Sequence, residues 1–314
     1  MLSRCLGALS RQSLCADQFE VWVVDNGSTD RTCALVHDRM RSMPNLKYLF
    51  LAEQNVSLAR NLGAQEAQAK WLAFADDDCL PPRDWLQQAG EIIDRKKELT
   101  VLGGPVLDEV PQGMCLPPSF QPQDWDQSYG RKERFLKPDE IHTECNMMIA
   151  KAVFMEVGGF RGDLGPGNRR FGFHEGTELQ ARILRQFGER GVPFYSPKIP
   201  MLHTVRPGRM TLGGRLYRTF LAGYDYARAF PQRGKSRGGL VVRILIQTAN
   251  FHWSSVFRPQ AIMRILFRVG EITGQAFPER HWFPNHVRPQ GSPVLTKPHY
   301  AFWSLRITSF GWSR

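Results

Sequence analysis

Apolar positions recur along the chain with two spacings, and the alternation between them sets out a layered architecture. Leu2, Leu6 and Leu9 fall at helical spacing, so a helix comes first. The stretch "FEVWVV" from Phe19 to Val24 is largely apolar and runs into the turn-forming "DNGSTD", the pattern of a strand buried on both faces. "LKYLFLA" reads as a second strand, a helix follows around Leu58 to Ala69, and "KWLAFA" is a third strand that stops at three aspartates. Strands alternating with helices predict an α/β layer with a mostly parallel central sheet flanked by helices.

Beyond Leu99 the chain continues with a glycine-bearing strand, "TVLGGPVL", and a Pro-rich polar loop from about Val110 to Pro138. "TECNMMIAKAVFMEVGGF" and the Gly-rich "RGDLGPGNRRFGF" come next. In "HEGTELQARILRQFGERG", Leu179, Ile183, Leu184 and Phe187 form an apolar helical stripe after an acidic start, and a turn-rich strand region ends in "MLHTVRPGR". Nearer the C-terminus, Ile262, Ile265, Leu266, Val269 and Ile272 share one helical face flanked by Arg264 and Arg268. Such a face suits docking on a core and equally a basic amphipathic helix in a membrane interface.

Composition adds two constraints. A hydrophobic content of 42% supports a substantial core. No apolar run approaches the roughly 20 residues of a spanning helix, and the N-terminus lacks the apolar core of a signal peptide. The six cysteines form no C-x-x-C pair, which argues against a zinc site or a disulfide scaffold and suits a reducing cytoplasm. Charge is more telling by position than in sum. Between Thr204 and Gln290 there are fourteen Lys+Arg against three Asp+Glu, which accounts for the whole formal +11, while the rest of the chain carries 27 of each sign. A segment of that kind is drawn to anionic lipid, nucleic acid or acidic glycan.

Candidate chemistry lies at the strand ends. Ligands of open α/β sheets bind outside the carboxyl ends of the strands, and both Asp25 and the run Asp76, Asp77, Asp78 immediately follow predicted strands. Three adjacent carboxylates repel one another unless a positive partner sits among them. A magnesium or manganese ion that takes one or two carboxylates and fills its shell with phosphate oxygens is one such partner. An acidic turn capping a helix that starts at Pro82 is the alternative.

Five words in order, "VVDNGSTDRT", "NVSLARNLGA", "FADDDCLPPRDWL", "NMMIAKAVFMEVGGF" and "EGTEL", resemble the family 2 glycosyltransferases of GT-A fold over about Leu2 to Gly223. The resemblance implies an inverting, nucleotide-sugar-dependent transferase. Asp25 would accept a hydrogen bond from the nucleotide base with Asn26 beside it, and Arg60 would lie against the nucleotide. Asp76 would support the ribose side with Asp77 next to it, and Asp78 would hold Mg2+ or Mn2+ on the diphosphate, with His203 near the diphosphate or metal. The family's catalytic base is a carboxylate at the start of the helix after the Gly-rich loop. Here Gly176 occupies the position that often carries it, so Glu175 is the candidate base and Glu178 the second.

The resemblance divides the chain into a nucleotide-sugar-binding half, 1–100, an acceptor-binding half of the same domain, 101–205, and a basic, partly amphipathic helical segment, 206–314. Family members open with a strand ending in a P-x-x-N-like word ahead of the helix that here begins at Met1. The expectation is a sheet lacking that strand, from a recorded start placed too late or a damaged copy. The implied partners are a nucleotide-sugar donor, a lipid-linked or glycan acceptor and an anionic membrane surface, with no nucleic acid, at the inner face of the cell membrane. Two further readings stay open, a catalytically impaired relative that binds nucleotide sugar and a basic nucleic-acid-binding protein.

Overall fold

The computed structural model describes residues 1–115, 127–167, 172–206, 212–230, 266 and 269–273. Helix α1 (Leu2–Leu9) leads to strand β1 (Val21–Asp25), helix α2 (Thr32–Met40), strand β2 (Leu46–Phe50), helix α3 (Val56–Glu66) and strand β3 (Trp71–Phe74). A two-residue strand β4 (Cys79–Leu80) follows the aspartates, then helix α4 (Trp85–Arg95), β5 (Val101–Gly103), β6 (Val106–Glu109) and β7 (Arg134–Phe135). Strand β8 (Met147–Ala150), helices α5 (Lys151–Glu156) and α6 (Glu175–Phe187), strands β9 (Phe194–Tyr195) and β10 (Met201–Thr204), and helix α7 (Leu212–Ala229) complete the order.

Strand residues are buried on both faces, and their period of two sorts them into two cores. Val21, Val23, Ala73, Leu102 and Met148 face one core with the apolar faces of α1, α2 and α4. Trp22, Val24, Leu72, Phe74, Val101, Met147 and Ile149 face the other, with α3, α5 and α6. The result is helices on both sides of a sheet layer, which is why the strands read as continuous apolar runs rather than alternating ones.

The sheet is mixed, not mostly parallel. β1 pairs with β2 in parallel as a separate two-stranded sheet, and the five-stranded sheet has the order β3-β8-β5-β9-β7. In it β8 runs antiparallel to both β3 and β5. β8 therefore starts at the edge where β3 and β5 end and runs back between them. Among the described residues no ladder joins β1 to β3. The third sheet has the order β4-β10-β6, with β10 antiparallel to β4 and parallel to β6.

Strands from the first and second hundred residues share the five-stranded sheet. The basic segment lies mostly outside the described residues, as do 116–126 of the predicted Pro-rich loop and Ile262 and Ile265 of the amphipathic stripe. Within it, 269–273 lie against α7: a Cβ on Gly270 would come within 1.9 Å of Phe220 O. No helix among the described residues is long and apolar enough to cross a membrane.

Candidate active site

The carboxyl edge of the sheet gathers the acidic residues, and two arginines, one of them buried, hold them. Arg60, one turn into α3, is the first of these cations. Its Nη2 donates to Asp76 Oδ1 at 3.0 Å and its Nη1 to Glu175 Oε1 at 2.9 Å. The guanidinium also lies 5.4 Å from the Phe160 ring centroid. Burial works against its charge, but Asp76, Glu175 and Glu144 outweigh that effect and hold it firmly protonated. Arg60 is thus enclosed between two carboxylates rather than open to a ligand, with a side chain only 5% exposed.

Arg206 is the second cation. Its Nε donates to Asp78 Oδ2 and its Nη2 to Asp77 Oδ1, each at 2.7 Å. Burial pushes the Asp77 carboxyl up to about 7 even though Arg206 opposes it, and the charges of Asp78 and Asp76 push the same way as burial. The positive partner that the crowded aspartates require is therefore supplied within the protein by Arg60 and Arg206 together.

Strand pairing brings His203 to the same place. β10 runs antiparallel to β4 with His203 opposite Cys79, and Thr204 N donates to Asp78 O at 2.8 Å. His203 Nε2 then stands 3.4 Å from Asp78 Oδ1. A carboxylate oxygen and an imidazole nitrogen this close are a fitting donor pair for one edge of a Mg2+ or Mn2+ shell, whose other positions go to water and phosphate oxygens. Among the described residues no group of three His, Cys, Asp or Glu side chains could hold a metal ion.

Asp25 closes β1 and is buried. Its Oδ1 accepts from Ser28 N at 2.8 Å and its Oδ2 from Tyr48 OH at 2.9 Å. Burial and this carboxylate hold the Tyr48 phenol well above its ordinary range. Asn26 Oδ1 accepts from Asn55 N at 2.8 Å, and Asn55 in turn caps α3 by accepting from Leu58 N. The "DNG" turn thereby fixes the start of the helix that carries Arg60.

At the start of α6, Glu175 is 5% exposed and paired with Arg60. Burial and the nearby Glu144 charge raise its carboxyl to about 7, against the pull of Arg60. Gly165, at φ +80°, makes this approach possible, since a Cβ there would lie 2.9 Å from Glu175 Cδ. Glu178 turns away and holds Arg182 by a hydrogen bond at 2.8 Å from its Nε, one helical turn on. His174, before the helix, adopts φ +70° and bonds through Nε2 to Ala222 O at 2.9 Å, which docks α7 on the same corner.

Asp76, Glu175 and Arg60 thus form one group, and Asp77, Asp78, His203 and Arg206 a second, joined through the consecutive aspartates. Asp25 and Asn26 form the neighbouring turn, and Glu178 belongs to a separate ion pair. Three participants had escaped the sequence reading. Arg206 follows His203 by three residues inside a quoted word, and Glu144 precedes "CNMMI"; Tyr48 carried no signal beyond being a strand residue. A separate cavity of ≈ 590 Å³ lies against α1, lined by Arg4, Arg11 and Arg39 among others, and none of the acidic site residues lines it.

The family described as Glycosyl transferase family 2 matches residues 1–158. Glycosyltransferase AglE of Haloferax volcanii is 31% identical over 160 residues, covering 51% of either chain. The glucosyl-dolichyl phosphate glucuronosyltransferase of the same organism is 26% identical over 177 residues, 55% of either. The chain thus spans about half the length of these curated relatives. Among solved structures, the mannosyltransferase PcManGT from Pyrobaculum calidifontis, in complex with GDP-Man and Mn2+, superposes with a TM-score of 0.57 at 14% identity over 89% of this chain and 84% of that one, a likeness of GT-A-type fold.

Proposed function

The chain belongs to glycosyl transferase family 2, and from that premise we propose that it moves a sugar from a nucleotide-diphosphate donor to a hydroxyl acceptor. The observation that carries this reading is the double bridge of Arg60, which ties Asp76 of the acidic triplet to Glu175 at the start of α6. One buried guanidinium links the donor-side carboxylates to the acceptor-side corner.

On the donor side, Asp25 and Asn26 would meet the nucleotide base. Each Asp25 oxygen retains a lone pair beyond the bonds from Ser28 and Tyr48, so it can accept from a base N–H as well. Asp76 and Asp77 would face the ribose and diphosphate, with Arg60 and Arg206 holding the two side chains aligned. Asp78 and His203 would hold Mg2+ or Mn2+, and a cation bound there would offset the charge that develops on the departing diphosphate. The Mn2+ and GDP-Man bound together by the Pyrobaculum enzyme support a divalent cation accompanying the donor.

On the acceptor side, attack from the face opposite the diphosphate inverts the anomeric carbon. Glu175, the candidate from chain position, is held by Arg60, and its part is to keep that guanidinium in register with Asp76; Glu178 would brace the helix through Arg182. A lipid-linked or surface-glycan acceptor is supported by the relative that works on glucosyl-dolichyl phosphate. The positive excess after Thr204 suits peripheral contact with anionic lipid at the inner membrane face.

A screen of nucleotide sugars by thermal stabilisation with and without Mn2+ tests the reading. One donor is expected to raise the melting temperature only when the metal is present, and to support transfer to a hydroxyl acceptor. The absence of any metal-dependent shift across the common UDP- and GDP-sugars would remove it. Co-sedimentation with anionic and with neutral vesicles tests the membrane part, which fails if both bind the chain equally.

A further inference from the structure

Gly176 stands where relatives often carry the acceptor's base, and the structure shows what fills the space. A Cβ built on residue 176 would lie 1.9 Å from Glu144 Oε1, 2.5 Å from its Cδ and 2.7 Å from its Cγ. The carboxyl group of Glu144 therefore occupies the volume in which a side chain at 176 would begin. It is held there by the backbone, since Gly176 N donates to Oε1 at 2.6 Å. A glycine at this position is thus a condition for Glu144 to enter, because any larger residue would expel it.

The sheet explains why Glu144 reaches this corner. It opens the 3-10 turn Glu144–Asn146 just ahead of β8, and Met147 pairs with Phe74, the last residue of β3. The two strands are antiparallel, so the residues before Met147 and those after Phe74 leave the sheet at the same edge. Asp76 and Glu144 are therefore neighbours in topology though 68 positions apart in number. The next residue, Cys145, accepts through its carbonyl from Cys79 Sγ, which ties this turn to β4 beside Asp78. The Glu144 charge is felt by both Arg60 and Glu175. Of the two acids at this corner, Glu175 is buried and paired with Arg60, whereas Glu144 is partly exposed.

We propose that Glu144 is the general base of the transfer, a carboxylate delivered from the β8 turn in place of the one missing at Gly176. The inference rests on the glycosyltransferase reading and assigns one of its roles. In the step, the acceptor hydroxyl gives its proton to the Glu144 carboxylate as its oxygen forms a bond to the anomeric carbon. The carbon–oxygen bond to the diphosphate breaks, and its electron pair leaves with the diphosphate.

The test compares wild type, Glu144→Gln, Glu144→Ala and the double variant E144A/G176D. Donor-induced thermal shift is read alongside kcat for transfer. Glu144→Gln is expected to lose about 100-fold or more in kcat, the scale of general-base catalysis, with its donor-induced shift unchanged. The double variant, which returns a carboxylate to the same volume from α6, is expected to regain at least ten-fold over Glu144→Ala. A Glu144→Gln protein within two-fold of wild type in kcat would overturn the assignment. So would a loss of donor-induced shift in step with turnover, or a double variant no better than Glu144→Ala. A wild-type chain with neither donor-induced shift nor transfer would instead sink the glycosyltransferase reading itself, and the base with it.

Discussion

Arg206 Nε lies 2.7 Å from Asp78 Oδ2, although the two residues are 128 positions apart in the chain. The same guanidinium reaches Asp77, so the acidic triplet carries its own counter-charge. Replacing it with glutamine removes the guanidinium charge that pairs with both Asp77 and Asp78. Arg206→Gln is expected to destabilise the fold by about 2 kcal/mol, below the range for fully buried pairs because Arg206 retains some solvent. Mn2+ alone is expected to raise the melting temperature of this variant more than that of wild type. Thermal scans with and without the metal check both.

Arg60 is enclosed more completely, so its loss is costlier. Arg60→Met would leave Glu175 and Asp76 without a cation in a low-dielectric corner, a change of about 3–5 kcal/mol. Arg60→Lys restores the charge but cannot span both carboxylates, and is expected to recover only part of that loss. In a double-mutant cycle by urea denaturation, Glu175→Gln is expected to cost less on the Arg60→Met background than on wild type.

Asn146 is wholly buried and joins three elements. Its Oδ1 accepts from Trp85 Nε1 at 3.0 Å, and its Nδ2 donates to Pro105 O at 3.1 Å and Ile199 O at 2.8 Å. Asn146→Ala orphans one donor and two acceptors and is expected to cost about 3 kcal/mol or more. Trp85→Phe, which keeps most of the buried area, is expected to cost less. Chemical denaturation of the two variants decides between them.

His142 gives the fold an acid-sensitive point. Burial lowers its imidazole to about 4, despite the bond from Nε2 to Phe194 O at 3.0 Å. Its Nδ1 is buried without a partner, so a second proton would find no acceptor. The unfolded chain takes up this proton near 6.5 and the folded chain only near 4, so stability from this group is full above the unfolded value and falls as pH drops through that window. The loss approaches about 3 kcal/mol by linkage. His142→Asn is expected to flatten the difference between urea midpoints at pH 7 and pH 4.5.

Much of the architecture was legible because it rests on neighbours in the chain. The runs around Val21 to Val24 and Trp71 to Phe74 announced strands buried on both faces, and the stripe of Leu179 and Ile183 announced α6. The order of the acidic and glycine-bearing words pointed to the family. The direction of β8 was not legible. An apolar run specifies a strand, but only the path of the preceding loop decides which way it enters the sheet.

The amino-acid sequence by itself determined the α/β layering, the edge at which Asp25 and Asp76 to Asp78 emerge, and the position of the charge excess, because periodicity and turn chemistry act over a few residues. Tertiary structure alone decided that Arg60 faces Asp76 and Glu175, that Arg206 neutralises Asp77 and Asp78, and that Glu144 fills the space above Gly176. Each of these contacts joins residues 16 to 129 positions apart. Electrostatic pairing in a buried corner depends on distance in space, and that distance is set by strand register and loop path rather than by any local pattern of residues.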